Sequence, residues 1–398
     1  MPASDLKLRK SWTIVSLIIT SLVVLSIYNL SSATISPTIV PAYPSSKGYT
    51  EGAGSLSEKE SSEKKTPDST PYSKQNYIEN STGLKKITYT LKQAENEKVS
   101  SSQKPTVLIV SSVGKDEPYG PGRSFESFMD TILTLIDNTD SKYQFSLGLQ
   151  NNHLAEFNKI ESHIAAKLES LATKFHKITL SSAPQLEGEG VSRNDRHNDA
   201  MQRTRRRLIA RSRNFLISQA LADEQYIITL DSDIIGFEQG PKMLEIMINS
   251  NRDIIVPRVT RGGISDYDRN SWRGKRTKPS QEELDLMDAN KWGEFRYVPR
   301  DVQGEIYHFY MHVDSQLTDE QKQLNYAVPL DSVGGAVLFF KSIVFKQGAN
   351  FPTSYIIGTT WDRSEGYDGI ETEGLCYLAK PLGYSCWGMP NLVAYHIP

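Results

Sequence analysis

From Thr106 onward, short runs of apolar and β-branched residues alternate with stretches in which apolar residues recur at helical spacing. Each short run predicts a buried strand, and each helical stretch predicts an amphipathic helix. The predicted strands are 106–112, 143–149, 176–180, 226–230, 254–259 and 336–341. The predicted helices are 124–137, 154–175, 202–222, one that begins at Pro241, and 371–380. This alternation predicts an α/β fold with a mostly parallel sheet flanked by helices.

The start of the chain has a different pattern. Basic residues at positions 7–10 precede an uncharged run, 12–28, that is rich in Ile, Leu and Val. Such a run is just long enough to cross a bilayer, and basic residues in front of it stay in the cytosol. The pattern predicts a cytosolic tail (1–10), a transmembrane anchor (11–30) and a luminal remainder. A cleaved signal peptide is the alternative.

Residues 31–103 are rich in Ser, Thr, Pro, Lys and Glu. This composition predicts a flexible stem, because it buries too little apolar surface to offset the entropy lost on ordering. Asn80 begins a glycosylation sequon within the stem. Residues 84–99 predict a short helix that begins the folded part, and residues 104–398 are expected to form one large α/β domain.

Composition narrows the class of protein. Charged residues make up 23% of the 398 and the formal net charge is -2, so no overall positive field favours nucleic acid. The two cysteines, Cys376 and Cys386, are either a disulfide or two buried thiols, and the sequence leaves both possibilities open.

The triplet Asp231-Ser232-Asp233 follows the predicted strand 226–230 directly. Ligands of parallel sheets bind beyond the carboxyl ends of the strands, and two carboxylates two residues apart can reach one cation there. Mg²⁺ or Mn²⁺ suits these oxygens and neutralises charge on a diphosphate leaving group. A solvated turn is the bland alternative, but the apolar residues on both sides favour a metal site.

Eight arginines lie between positions 193 and 213. Several are expected to form a solvated helix face. Arg211 or Arg213, together with Asn214, is the better candidate for contact with a nucleotide or its diphosphate, because the guanidinium fork suits phosphate.

Three further residues are weaker candidates on pattern alone. His396 is either a metal ligand or an ordinary buried histidine. Asp331 precedes Gly334 and Gly335, which allow a substrate to approach the backbone closely. Glu371 begins a helix, where negative charge is favourable without any function, or it holds an acceptor hydroxyl.

Five segments together resemble the fungal mannan polymerase mannosyltransferases, glycosyltransferase family 62. They are 211–216, 231–235, 333–335, 371–374 and 392–397. Their order and spacing extend the resemblance over nearly everything from Pro105 onward.

The resemblance implies a GT-A fold and a single-pass type II protein of the Golgi membrane, with the catalytic domain in the lumen. It implies GDP-mannose as the donor, Mn²⁺ (or Mg²⁺) as the cofactor and a mannose-terminated N-glycan as the acceptor. The expected product is the α-1,6 backbone of mannan, and an α product from an α-linked donor means retention. A hetero-oligomer with related mannosyltransferases is also implied.

The resemblance also assigns site residues by position. Those on the metal and donor side are Asp231, Asp233, His396, Ser111, Ser232, Arg211, Arg213 and Asn214. Those on the sugar and acceptor side are Asp331 and Glu371. Two other classes compete: a non-catalytic subunit of a polymerase complex, and a nucleotidyl or phosphoryl transferase. The intact triplet argues against the first, and the missing Gly-rich phosphate loop with Lys argues against the second.

Overall fold

The computed structural model describes residues 72–91, 104–137, 139, 142–186, 198–274, 276–295, 317–359 and 365–398. Across these ranges no helix is both long and apolar enough to cross a membrane. This finding corrects the predicted localisation as a single-pass Golgi membrane protein. The proposed anchor, 11–30, and the tail before it lie outside the described residues.

Eleven strands of the described ranges form one sheet in the order β1-β2-β5-β4-β3-β6-β10-β8-β11-β7, and β9 pairs with β11. Their bounds are β1 Tyr72–Glu79, β2 Leu84–Leu91, β3 Thr106–Ser112, β4 Gln144–Gln150, β5 Phe175–Ser182, β6 Tyr226–Leu230, β7 Ile234–Phe237, β8 Ile254–Thr260, β9 Val328–Leu330, β10 Val337–Lys341 and β11 Cys386–His396.

The described helices connect these strands. They are α1 Phe125–Ile136, α2 Leu154–Ala166, α3 Leu168–Leu171, α4 Asp199–Ala220, α5 Pro241–Asn249, α6 Gln281–Asp288, α7 Ser342–Lys346 and α8 Thr372–Ala379. Ser124 caps α1 by accepting a hydrogen bond from the Ser127 amide, as its type and position predict.

The sheet separates two apolar cores, as period-two alternation requires. On β3, Val107 and Ile109 face a core shared with α1, α2 and α5. Leu108 and Val110 face the opposite core, shared with α4, α7 and α8. Both faces are covered, so the predicted α/β class with flanking helices is confirmed.

The strand directions refine the predicted mostly parallel sheet. β3 runs parallel to β4 and β6, and β4 runs parallel to β5. β10 lies antiparallel between β6 and β8, and β11 returns parallel to β8. The sheet is therefore mixed, with a parallel half and a reversed strand beside it.

Residues 72–91 correct two expectations for the predicted stem. Instead of a helix from residue 84, β1 and β2 pair in antiparallel register, with Tyr72 opposite Leu91. Ile87, Tyr89 and Leu91 are buried at alternate positions, which is the pattern of a strand with one buried face. The lysines and threonines around them made this alternation hard to recognise in the sequence and led to the prediction of a helix. The rest of the predicted stem lies outside the described residues.

A disulfide joins Cys376 of α8 to Cys386 at the start of β11, with Cα atoms 5.9 Å apart. The sequence left open whether these cysteines form a disulfide or two buried thiols, and the structure has the disulfide. The bond fastens the short helix after Glu371 to the strand that carries His396.

Candidate active site

A cleft of about 750 Å³ lies at the sheet edge where β3, β4 and β6 end and β10 begins. This is where an α/β sheet is expected to bind its ligand. The ionisable side chains that line the cleft are Lys115, Asp116, His153, Arg205, Arg206, Arg213, Asp231, Asp233, Tyr267, Asp268, Arg269, Glu371 and His396.

Asp231 lies at the end of β6, where its amide donates to the Ala336 carbonyl at 2.9 Å. Arg213 of α4 donates from Nη2 to Asp231 Oδ1 at 2.7 Å and to the Gly335 carbonyl at 2.9 Å. Partial burial and the nearby carboxylates of Asp233 and Glu371 raise the pKa of Asp231 above its usual value, although Arg213 opposes the rise. Asp231 therefore joins the end of β6 to α4 and to the segment before β10.

Asp233 meets the end of β11. His396 Nε2 lies 3.2 Å from Asp233 Oδ2, and the Ile397 amide donates to the Asp233 carbonyl at 3.1 Å. The imidazole is 6% exposed. Burial lowers the pKa of His396, but the hydrogen bond and charge of Asp233 raise it above its usual value overall. The sheet thus joins the triplet and the terminal histidine, as the resemblance implied.

The donor types of this trio fit a divalent cation, because Mn²⁺ accepts both carboxylate and imidazole ligands. The three side chains are not, however, arranged around one point as metal ligands would be. Among the described residues, no three acidic, histidine or cysteine side chains form a ready metal cluster. Arg213 pairs with Asp231, and His396 Nε2 contacts Asp233, so a bound cation would have to enter between His396 and Asp233 and compete with Arg213 for Asp231.

Glu371 completes the floor of the cleft through an ion pair with Arg213 Nη1. Its backbone has φ +58, a left-handed conformation that is costly for a residue with a side chain. The Glu371 amide donates to the Pro352 carbonyl at 2.8 Å and helps to hold that conformation. The fold therefore places Glu371 beside Arg213 at a local energetic cost.

Gly334 and Gly335 admit protein side chains rather than only a substrate. A Cβ at Gly335 would collide with the Arg213 guanidinium, and one at Gly334 would collide with the Asp268 carboxylate. Asp268 also accepts a hydrogen bond from the Ala336 amide at 3.1 Å. Two glycines are needed here because a cation and an anion lie directly against the backbone.

Arg211 and Asn214 take different positions from those expected on the donor side. Arg211 is exposed and does not line the cleft. The Asn214 side chain donates to the Phe351 carbonyl at 2.7 Å and accepts from the Phe351 amide at 3.0 Å. Asn214 therefore fastens α4 to the segment before Glu371, and of the three donor-side candidates on α4, Arg213 alone lines the cleft.

Asp331 is also outside the cleft lining. Its Oδ2 accepts from the Gly274 amide at 3.0 Å, and its carbonyl accepts from Arg276 at 2.9 Å. The structure thus places Asp331 among loop contacts beside the site.

The two predicted serines lie near the cleft but face different surroundings. Ser232 lines the cleft, and its hydroxyl donates to the Pro118 carbonyl at 2.5 Å, which fastens the loop after β3 to the triplet. Ser111 is 2% exposed, and within the described part of the chain its hydroxyl has no hydrogen-bond partner. Its neighbour Ser112 lines the cleft.

The arginines clustered on α4 form ion pairs with acidic residues just before α8 and in its first turn. Arg206 pairs with Glu373 at 2.7 Å, and Arg207 pairs with Glu365 at 2.8 Å. Burial raises the pKa of Glu373 to about 7, and the charge of Arg206 opposes that rise. These pairs join the long helix to the segment that carries Glu371, so much of the cluster is structural.

Asp268 and Tyr267 were missed by the sequence argument, although both line the cleft. They lie in an irregular loop after β8, where no periodicity marks which residues face inward. The one signal was a second acidic pair, Asp266-Tyr267-Asp268, spaced like the triplet but without an apolar strand directly before it.

Comparison with known proteins adds the family. The Anp1 family model matches residues 85–355. The chain is 32% identical over 218 residues to the mannan polymerase II complex anp1 subunit of Schizosaccharomyces pombe, covering 52% of this chain and 45% of that protein. It is 32% identical over 223 residues to the mannan polymerase I complex VAN1 subunit of Saccharomyces cerevisiae, covering 54% and 37%.

These matches span less than half the length of either relative. A solved structure of GalNAc-T7 with UDP, GalNAc and Mn²⁺ is similar at a TM-score of 0.38 and 14% identity, over 74% of this chain and 43% of that one. That likeness is too distant to inform the site. The family match covers well over half of the chain, and the chain therefore belongs to the Anp1 family.

Proposed function

We propose that this protein is a retaining α-mannosyltransferase that moves mannose from GDP-mannose to mannose on N-glycan outer chains, with the α-1,6 mannan backbone as its product. The observation that carries the proposal is the meeting of Asp233 and His396, 3.2 Å apart, in a cleft that Asp231 and Arg213 also line. Relatives named as mannan polymerase subunits support the substrate class. A GT-A fold is part of the same proposal.

Asp231, Asp233 and His396 would hold Mn²⁺, or Mg²⁺, whose positive charge would stabilise the departing diphosphate. Arg213 is fixed by Glu371 and by the Gly335 carbonyl, so its guanidinium stays at the cleft floor beside Asp231. Acidic and basic side chains balance in the cleft lining, but Lys115 and Arg205 supply cationic donors of the kind that suits the phosphates of a nucleotide sugar.

The positions of the carboxylates support a front-face mechanism. Glu371 is held by Arg213, and Asp331 lies outside the cleft lining, so neither is presented as an open nucleophile for a covalent intermediate. In the proposed step the acceptor hydroxyl forms its bond to the anomeric carbon on the face from which the diphosphate leaves. The leaving phosphate oxygen takes the hydroxyl proton.

The relatives' names also suggest assembly with related subunits, and we include a hetero-oligomer in the proposal. A non-catalytic role within such a complex is the second candidate. It is favoured by one observation: Asp231 is engaged by Arg213, and the described acidic and histidine side chains form no ready metal cluster.

The direct test incubates the purified full chain with GDP-mannose, Mn²⁺ and α-mannobiose, followed by NMR analysis of the linkage. The expected products are GDP and an α-linked trisaccharide. The matched control is the Asp231→Asn, Asp233→Asn double variant, in which turnover should be lost while the thermal unfolding transition is kept.

Three other outcomes are distinct. Turnover that survives in the double variant would contradict the metal assignment. Release of GMP or pyrophosphate would indicate a phosphoryl or nucleotidyl transferase. Turnover only with a related subunit, unaffected by the double substitution, would establish the non-catalytic role.

A further inference from the structure

His396 occupies an irregular position in β11. Tyr395 pairs with Gly236 of β7, but His396 pairs with Ile234, so the register shifts between the two residues. A bulge of this kind redirects a side chain and recurs beside active sites. Here it accompanies the turn of the imidazole into the cleft, whereas the neighbouring Tyr395 is 38% exposed.

One edge of the imidazole is fixed by the backbone. His396 Nδ1 lies 2.7 Å from the Ile397 carbonyl and donates to it, which leaves Nε2 directed at Asp233. A histidine that ligates a metal commonly donates its other ring nitrogen in this way. Both this hydrogen bond and the contact with Asp233 act at the edge of the ring, so neither packs against its plane.

The imidazole packs against Tyr267, whose ring centroid lies 4.5 Å away in a tilted arrangement with an interplanar angle of 46°. Tyr267 is itself held at both ends. Its amide donates to the Val259 carbonyl at 2.8 Å, and its phenol oxygen accepts from Arg261 Nη1 at 3.3 Å. The Arg261 guanidinium also lies 5.0 Å from the Tyr267 ring centroid, which makes a cation–π contact.

We infer that Tyr267 is a positioning residue that fixes the plane of His396, so that Nε2 stays in the orientation required to bind a divalent cation. The inference rests on the metal site of the proposed function and extends it to a residue that binds no metal itself. The physical basis is preorganisation: an imidazole free to rock must be ordered when the cation binds. Groups that orient metal-ligating histidines typically change metal affinity by about 10- to 100-fold.

The test measures Mn²⁺ affinity of the full chain by EPR of the free ion, with GDP present at a fixed concentration. Tyr267→Leu should weaken Mn²⁺ binding about tenfold or more, because it removes the aromatic face. Tyr267→Phe should restore most of the affinity, since it retains that face and loses the bond to Arg261. Arg261→Met should give an intermediate loss through a looser Tyr267.

Tyr395→Leu is the matched control, because it removes an exposed tyrosine adjacent to His396 in the chain. Its Mn²⁺ affinity should equal that of the unmodified protein. Thermal unfolding of each variant without metal separates a general packing loss from the positioning effect. If Tyr267→Leu does not fold, the inference is tested by the other two variants: Arg261→Met should lose more Mn²⁺ affinity than Tyr267→Phe.

Unchanged Mn²⁺ affinity in Tyr267→Leu, with or without a lower unfolding temperature, overturns the inference. A loss of the same size in Tyr267→Phe also overturns it, because the aromatic face would then be irrelevant. If the unmodified protein binds no Mn²⁺, the proposed metal site itself fails, and that result is distinguishable from failure of the positioning role.

Discussion

Arg213 bridges two carboxylates that are far apart in the chain, donating to Asp231 at 2.7 Å and to Glu371 through its other terminal nitrogen. The guanidinium is 7% exposed, Glu371 13% and Asp231 43%. This bridge connects the end of β6 to the start of α8 across the cleft floor. It therefore couples the geometry of the proposed metal site to that of the proposed sugar side.

Replacing Arg213 with Ala should destabilise the fold and abolish the proposed mannosyl transfer. Two carboxylates would lose their cation, which typically costs about 3–5 kcal/mol for a buried pair and less where, as at Asp231, solvent screens the charge. Urea unfolding gives the free energy, and the GDP-mannose assay gives the activity. Arg211→Ala is the control on the same helix, and it should change stability by no more than about 0.5 kcal/mol. Equal losses of stability and activity in Arg213→Ala and Arg211→Ala would contradict the placement of Arg213 in the cleft and of Arg211 outside it.

Gly335→Ala should be destabilising by about 1–3 kcal/mol, because its methyl group would displace the Arg213 guanidinium and overpack the site. Differential scanning calorimetry measures the loss. Gly114→Ala is the matched control for stability, since a Cβ there meets nothing within 4 Å. If Gly335→Ala unfolds at the same temperature as the unmodified protein, the position of the Arg213 guanidinium does not require glycine at position 335.

A buried ion pair at the opposite end of β6 predicts a pH dependence. Lys177 Nζ lies 2.6 Å from Glu224 Oε1, and the Glu224 side chain is fully buried. Burial raises the pKa of Glu224, but hydrogen bonds from Lys177, Ser146 and the Ala222 amide lower it below its usual value overall. A depressed folded-state pKa gives stability that is present above pH of about 4.5 and is lost as pH falls through the folded pKa.

Glu224→Gln should therefore destabilise the protein by about 3–5 kcal/mol at pH 7, by leaving Lys177 unpaired. The difference from the unmodified protein should shrink as the pH falls below about 4.5. Urea unfolding from about pH 2.5 to about pH 7 tests this prediction, because the range must extend below the lowered pKa of Glu224. Glu245→Gln removes the partner of a much more exposed lysine, Lys142, and should have little effect. A difference that grows on acidification would reverse the sign of the argument.

The disulfide should stabilise the fold through a short closed loop. Cys376 and Cys386 are 10 residues apart, and loops of that length correspond to about 2–3 kcal/mol in the chain-entropy account. The Cys376→Ser, Cys386→Ser double variant should unfold at a lower temperature than the unmodified protein. Dithiothreitol should lower the unfolding temperature of the unmodified protein to that of the variant. Insensitivity of the unmodified protein to dithiothreitol, together with a lower transition in the variant, would point to packing rather than the covalent bond.

The parallel half of the sheet and the position of the triplet were predictable because they depend on local pattern. Strand β6 was predicted with its observed bounds, and Asp231 follows it because an apolar run ends there. The partnership of Asp233 with His396 depends on the pairing of β11 with β7, and only the family resemblance anticipated it.

Orientation around a helix was the harder problem. Arg211 and Arg213 are two residues apart, so they project about 200° apart around α4 and cannot both face the cleft. The sequence offered two similar arginines, whereas packing of Ala210, Leu216 and Ile217 against the sheet selects Arg213. Tyr267 and Asp268 were harder still, since their loop has no period from which a face could be read.

The reversed strand β10 has a consequence for how this family can diversify. Because β8 and β10 run antiparallel as neighbours, the connection between Thr260 and Val337 both leaves and rejoins the sheet at the cleft rim. Within the described part of that connection, Tyr267 and Asp268 line the cleft, whereas α6 and β9 lie outside its lining. In the proposed enzyme, changes of sequence in this connection would thus alter the rim of the cleft while β6 and β11, next to Asp231 and His396, keep their places in the sheet.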